Sequence, residues 1–299
     1  MTEEKKAMLA AGVAYTIFGL SYLFSKMALA AAEPAILLCA RFSVTLIALN
    51  ILTATGAMKL NLRGKSLLGP ILLGLLQPAL YFVLENYGLK YTSTSFTGMV
   101  SSVSPVFSAV LGAVLLRERP NAKQWVAIAG TIAGVMLVSL GGGGGQNTLL
   151  GCLCLVGAYF SGAYYTILVR RLTKTYTPFE LTYVMFTVGF VFFAGMAVFQ
   201  YRGGVFSALG AALSQPGFVV AILYLGAVAS VGAYLLSNYS LSRLPVARST
   251  IFTSLSTLVS VLSGVIIMKD PFTPVSLIAF VLILSGVWGV NYFAAREKA

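Results

Sequence analysis

"NYSLSRLPVARST", Asn238 to Thr250, echoes an earlier stretch of the same chain, "NYGLKYTSTSFTG", Asn86 to Gly98. An offset of 152 residues superposes them, and the correspondence runs on to Glu118 against Asp270. Of those thirty-three positions seven are identical: Asn86/Asn238, Tyr87/Tyr239, Leu89/Leu241, Ser102/Ser254, Ser104/Ser256, Ser108/Ser260 and Gly112/Gly264. The chain reads as a duplication.

Composition says what was duplicated. Of 299 residues 58% are hydrophobic and only 9% charged, with a mean hydropathy of +0.90; a soluble domain would carry about 25% charged residues. There is no histidine, which removes the commonest general base and metal ligand. Cys39, Cys152 and Cys154 each sit inside an apolar run, and the C-x-C pair has neither zinc spacing nor a C-x-x-C redox pattern. They read as small buried hydrophobes, so neither a catalytic residue, a metal site nor a cofactor is expected.

A hydrocarbon core of about 30 Å takes roughly 20 apolar residues as a helix. Charges, prolines and glycine clusters divide the chain into ten such runs, at about 7–29, 34–56, 67–89, 93–116, 122–140, 147–169, 178–200, 216–239, 245–268 and 273–293. The first is too long and too polar in the middle for a cleaved signal peptide, and the longest connection, "YRGGVFSALGAALSQ", is too short for an extramembrane domain. With a cytoplasmic amino terminus, fifteen of the twenty basic residues fall on the inner side, from Lys5 and Lys6 through Lys59, Arg63, Lys65, Arg117, Arg119, Lys123, Arg170, Arg171, Lys174, Arg243 and Arg248 to Arg296 and Lys298. Lys90, Arg202 and Lys269 are left outside, and Lys26 and Arg41 lie within spans. The positive-inside rule therefore puts both termini in the cytoplasm. It also explains the +12 formal charge without nucleic acid, whose binding is not expected of bases scattered over six short segments.

The fold class follows: an all-α polytopic membrane protein of ten transmembrane helices. Five helices per copy is an odd number, so the two repeats are inverted in the bilayer, 1–140 and 147–299, joined by an outer glycine linker at 141–146. "GGGGGQN" lacks the G-x-x-x-x-G-K-[ST] context of a phosphate loop and reads as a flexible connection. Inverted repeats suit alternating access, with binding near the midplane between the halves.

"FGLSYLFSKMAL" in the first helix, "EPAILLCARFSVTLIAL" in the second and "ENYGLKYTSTSFTGMVSSVSPVFSAVLGAVLLRERPNAKQWVAIAGTIAGVML" across the third to fifth, with their echoes in the second half, resemble the drug/metabolite transporter superfamily, specifically its EamA-type ten-helix exporters. The resemblance covers nearly the whole chain. Phe18-Gly19 stands where the family usually has Trp-Gly, and the familiar proline of helix four is Pro105 in the first repeat but Thr257 in the second. Among members the pattern is most similar to bacterial exporters of aromatic amino acids and related metabolites, which implies a multi-pass protein of the inner (plasma) membrane.

Because intact helices satisfy their own backbone in hydrocarbon, side chains near mid-span must supply the polar contacts to cargo. Counting from the helix ends, the mid-span residues include Phe18, Ser102, Ser161, Ser230, Thr253 and Thr257, and the expected substrate-binding members are Tyr22, Gln77, Tyr81, Ser101, Ser104, Tyr159, Tyr165, Tyr234, Ser254 and Ser256, a neutral aromatic set able to hold a planar or apolar body and hydrogen-bond a zwitterion. Gly19, Pro78, Pro105 and Gly162 are the expected hinges. Gln77 is the sharpest candidate, since a central amide beside a proline needs a partner, across helices or in a cavity. Serines there also back-bond to their own helix. Gly130 and Gly134 form a G-x-x-x-G suited either to intrachain packing or to a dimer face, leaving monomer and homodimer open.

Charge inside a span is expensive and usually functional. Lys26, Arg41 and Glu85 lie at similar depth in the outer thirds of the first three helices. One acid between two bases would form a buried network, serving as a strut, an outer gate, or an anchor for a substrate carboxylate on Lys26 or Arg41. Flanking bases would keep Glu85 ionised and make it a poor proton carrier, which favours facilitated transport. A proton-coupled multidrug or metabolite efflux transporter is the main rival. An embedded enzyme would need nucleophile, base or metal machinery that the chain lacks, and a purely structural membrane protein would need no polar midplane set.

Overall fold

The computed structural model describes residues 2–116, 121–141, 147–244 and 252–296. Positions 142–146 of the expected linker, and Arg117, Arg119, Arg248 and Lys298 among the expected inner bases, lie outside them. The described chain is helical, without a strand. Its helices are α1 Glu3–Leu29, α2 Pro34–Ala54, α3 Leu68–Lys90, α4 Thr94–Ser101, α5 Val103–Leu116, α6 Ala122–Gly141, α7 Leu149–Leu172, α8 Pro178–Tyr201, α9 Val205–Leu213, α10 Pro216–Arg243, α11 Thr253–Ile266 and α12 Pro274–Arg296.

Local chemistry sets the boundaries. Thr148 caps α7, and Thr177 with Glu180 forms a capping box at the start of α8, where Pro178 supplies a first-turn residue that needs no N–H partner. Glu180 also pairs with Lys65 at 2.7 Å, tying the segment before α3 to the start of α8. In the fourth run Pro105 cannot donate to the Ser101 carbonyl, and the helix turns at Ser102, between α4 and α5. The long connection before α10 carries the uncharged helix α9.

By length and composition eight helices among the described residues can cross a membrane, α4 and α5 counting together as one; Thr253–Ile266 and Pro274–Val290 are shorter apolar helices. Phe199 and Phe206 are 85% and 86% exposed, among many large apolar side chains on the periphery. That surface is costly in water and neutral against lipid.

Two apolar cores hold the bundle. One unites α1–α3 with α7, α8 and α10 through residues such as Phe42, Phe82, Phe186 and Phe193; the other unites α4–α6 with α7, α11 and α12 through Phe96, Met99, Ile128, Leu155 and Ile283. The main pairings are α6 with α12, α2 with α8, α4 with α11, the end of α3 with α7, the end of α10 with α1, α1 with α11, and α5 with α7.

Close approach needs small residues, because lipid offers no hydrophobic drive between helices. A Cβ on Gly286 would lie 2.3 Å from Thr131 Oγ1 and 2.8 Å from the Ala127 carbonyl, and one on Gly134 would lie 2.7 Å from Ile283 Cγ1. Gly134 of the G-x-x-x-G therefore packs within the chain, against α12, while a Cβ on Gly130 would meet nothing within 4 Å. Gly286→Ala should accordingly lower stability by about 1–3 kcal/mol through overpacking, whereas Gly130→Ala should be neutral or stabilising by up to about 1 kcal/mol. Thermal unfolding of the purified variants in detergent checks this, and equal effects at the two sites would contradict the packing described.

Candidate functional site

Two helices are interrupted where they line the interior. In α3 the backbone leaves helical geometry at Gln77 (φ −146°, ψ 114°), ahead of Pro78, within a widened π-helical stretch Leu75–Leu80. The residue before a proline is pushed toward extended backbone, so the sequence itself places this break. In α10 the stretch Tyr224–Ala233 is likewise widened. Neighbouring side chains satisfy groups at both interruptions. The Ser161 hydroxyl donates to the Leu76 carbonyl at 2.9 Å, and the Thr45 hydroxyl donates to the Gly226 carbonyl at 3.1 Å.

Beside these interruptions lies a cavity of about 110 Å³. Of the residues expected at the midplane, Tyr22, Gln77, Tyr81, Ser101, Ser104, Tyr159, Tyr165, Tyr234 and Ser256 all line it, as do Arg41, Glu85 and Gly162. Ser254 does not; it is half-buried on another side of α11, and Thr253 lines the cavity with Ser256 instead. Tyr15, Phe18, Ser21, Phe82, Thr166 and Ser237 complete the wall. Phe18 is already notable in the sequence as the replacement for a tryptophan; Tyr15 lies at the middle of α1 and is within reach of the same depth count, whereas Ser237 lies nearer its helix end and carries no such signal.

The hydroxyls are organised by one another. The Tyr81 hydroxyl donates to Glu85 Oε1 at 2.5 Å, and the Tyr159 hydroxyl bridges Tyr22 Oη at 3.3 Å and the Thr97 carbonyl at 3.2 Å. Tyr165 donates to Asn238 Oδ1 at 2.7 Å, whose amide continues to Thr182 at 2.9 Å. Gln77 Nε2 donates to the Tyr234 hydroxyl, and Tyr234 packs edge-on against Phe18 and Phe186.

Lys26, Arg41 and Glu85 do not form the expected network: among the described residues no ion pair within 4.0 Å joins them. Depth along a helix does not fix the direction a side chain faces. Lys26 turns to the end of α3, donating to the carbonyls of Leu89, at 2.8 Å, and Thr92. Arg41, 1% exposed, donates from Nε to Ser230 at 3.0 Å and stacks 4.1 Å from the Phe82 ring centroid. The expectation that flanking bases pin Glu85 in its charged form therefore loses its geometric basis.

The expected hinges occupy close quarters. A Cβ on Gly19 would lie 2.7 Å from the Ser256 carbonyl, which makes Gly19 the crossing point of α1 and α11, and a Cβ on Gly162 would lie 3.2 Å from the Tyr81 ring. Pro78 follows the interruption at Gln77, and Pro105 follows the turn at Ser102.

Comparison with known proteins places this geometry. The EamA-like transporter family matches residues 5–140 and again 149–292. A Bacillus subtilis (strain 168) protein named uncharacterized transporter YcxC is 34% identical over 292 residues, covering 97% of this chain and 94% of its own. A probable terminal-alkyne amino-acid exporter of Streptantibioticus cattleyicolor is 27% identical, over 71% of this chain and 68% of its own. One crystal structure, 18% identical, superposes over 99% of both chains with a TM-score of 0.65, a likeness of fold alone.

The bond between Gln77 and Tyr234 joins α3 to α10 across the cavity and should be measurable as a coupling. Tyr234→Phe and Gln77→Leu are each expected to destabilise by about 1–3 kcal/mol, and the double variant should fall short of the sum by about 1 kcal/mol. A double-mutant cycle on thermal unfolding checks this; strict additivity would mean that the bond contributes nothing.

Proposed function

The chain belongs to the EamA-like transporter family, and from that premise we propose that it exports amino acids, aromatic and other apolar ones, and related small metabolites across the bacterial inner membrane by alternating access. It is a multi-pass membrane transporter, not an enzyme. The observation that carries the substrate class is the cavity wall: Tyr15, Phe18, Tyr22, Tyr81, Phe82, Tyr159, Tyr165 and Tyr234, interspersed with serine and threonine hydroxyls. Such a wall accepts a planar or apolar body while offering hydrogen bonds to a small polar head. The amino-acid exporter among the relatives is consistent with this cargo.

Ten spans, two inverted repeats and cytoplasmic termini belong to the same proposal; the packing supports the two-repeat arrangement, and the placement of the basic residues supports the orientation. Under an exchange of the halves, the pairing of α3 with α7 becomes that of α10 with α1, and α1 with α11 becomes α7 with the α4–α5 span; α2–α8, α4–α11 and α6–α12 map onto themselves. The offset read from the sequence carries Leu75–Leu80 to positions 227–232, inside the other widened stretch, Tyr224–Ala233. The family also matches each half separately. Two equivalent helices with matching weak points, one per half, suit a device that opens alternately on either face.

Facilitated movement is the simpler mechanism. A second reading, proton-coupled efflux of drugs or metabolites, is favoured by Glu85, a buried carboxyl on the cavity wall that shares a hydrogen bond with Tyr81 and lacks an ion pair within 4.0 Å among the described residues.

Counterflow in proteoliposomes containing only the purified protein, at symmetric pH, separates these. Labelled phenylalanine, tyrosine and leucine should accumulate against unlabelled internal amino acid, and a labelled lipophilic cation should not. Accumulation of the cation alone would overturn the amino-acid assignment. Glu85→Gln should retain pH-independent exchange; flux in the parent that follows an imposed proton gradient, and ceases to follow it in Glu85→Gln, would establish proton coupling instead.

A further inference from the structure

Two residues of the cavity wall each carry a buried polar atom without a partner among the described residues, and the two atoms are complementary. Arg41 Nη1 is an N–H donor on a fixed cation, and Gln77 Oε1 is a carboxamide acceptor. Their side chains are 1% and 6% exposed, and both line the same cavity. An unmet polar group at such a depth carries the full desolvation penalty, and a ligand that meets it recovers that penalty on binding. Arg41 Nε is committed to Ser230 and the guanidinium face to Phe82, and Gln77 Nε2 is committed to Tyr234.

We propose that Arg41 and Gln77 form the head-group site for a zwitterionic α-amino acid, the guanidinium taking the α-carboxylate through Nη1 and the Gln77 carbonyl oxygen taking the α-ammonium, with the tyrosine-lined space holding the side chain. The proposal deepens the amino-acid reading and rests on it. Of the two bases that the sequence offers as an anchor, Lys26 is engaged by the Leu89 and Thr92 carbonyls and does not line the cavity, which leaves Arg41. A guanidinium is also the better carboxylate partner, because it stays charged and presents fixed N–H directions.

Specificity follows from the charge balance. A zwitterion adds no net charge to the site and gives Arg41 a counter-anion. A lipophilic cation, or an amine without a carboxylate, brings a second positive charge toward an unpaired guanidinium. The tyrosine faces would welcome such a cation, as would an ionised Glu85 on the same wall; Arg41 is the element that opposes it.

The test is a ligand series on the unmodified protein in proteoliposomes. Competition against labelled phenylalanine counterflow, and thermal stabilisation in detergent as a flux-independent readout, are measured for L-phenylalanine, L-phenylalaninamide, phenethylamine and 3-phenylpropionate. Phenylalaninamide and phenethylamine should bind about tenfold to a hundredfold more weakly than phenylalanine, and 3-phenylpropionate should fall between. Arg41→Gln should erase the discrimination between phenylalanine and its amide, Arg41→Lys should restore part of it, and Gln77→Leu should weaken phenylalanine while leaving 3-phenylpropionate unchanged. Equal binding of acid and amide by the parent overturns the head-group site whether or not Arg41→Gln folds. Phenylalanine flux with that result leaves the amino-acid reading standing. Arg41-dependent stabilisation by 3-phenylpropionate with no flux or binding of any amino acid keeps the carboxylate anchor, and overturns both the zwitterion assignment and the amino-acid reading.

Discussion

A backbone amide in hydrocarbon must find its partner inside the protein, and that constraint organises the molecule. Most of the chain meets it with uninterrupted helix, so the places where helix geometry widens are informative. Both principal ones, Leu75–Leu80 and Tyr224–Ala233, adjoin the cavity, and both are stabilised from outside their own helix. Ser161 of α7 supports α3 at Leu76, while Thr45 and Arg41 of α2 reach α10 at Gly226 and Ser230. Gly226 permits this, since a Cβ there would lie 2.8 Å from the Arg41 carbonyl. The residues that satisfy the interruptions thus also position the cavity wall, and Arg41 belongs to both sets.

The two apolar cores share α7, the helix that contributes Tyr159, Gly162, Tyr165 and Thr166 to the cavity. The α4–α11 contact relies on small residues: a Cβ on Gly98 would lie 2.3 Å from Ser260, and one on Gly264 would lie 2.7 Å from the Ser95 amide. Asp270 accepts from the Ser95 amide and hydroxyl at 2.7 and 2.9 Å, and the Lys26 bonds lie at the same end of the bundle. That end is held by specific polar contacts over close-packed backbone, an arrangement with discrete alternatives and little intermediate adjustment.

How much of this the sequence discloses depends on the kind of information each feature carries. Apolar run length locates the helices, eight of which, among the described residues, are long and apolar enough to cross a membrane, so the helical architecture is legible. Depth along each helix is legible too, which is why nine of the ten midplane candidates fall on one cavity. Rotation about the helix axis is not legible from depth. Ser254 shares the depth of its neighbours, yet the cavity face of α11 is Thr253 and Ser256, and Thr257 bonds to Ser102 at 2.6 Å. For the same reason Lys26, at similar depth, turns to the Leu89 and Thr92 carbonyls and away from the cavity that Arg41 and Glu85 both line. The helix Val205–Leu213 was missed because a short uncharged segment between glycines reads as a connection.

A duplicated frame need not bring duplicated chemistry. Among the described residues lining the cavity the charged ones, Arg41 and Glu85, come from the first half, while the second supplies Tyr159, Tyr165, Tyr234 and hydroxyls. Counted from the first-turn prolines of α2 and α8, Pro34 and Pro178, Arg41 corresponds to Met185, and the 152-residue offset carries Glu85 to Ser237. Gly226 lies against the Arg41 carbonyl as Gly74 lies against that of Met185, whose side chain is buried in the apolar core. Two guanidiniums related by the pseudo-symmetry would repel each other at low dielectric and double the desolvation cost; an apolar side chain at one of the two positions leaves a single cation. The duplication supplies matching mechanical elements, and the departures from it give the cavity a polar direction.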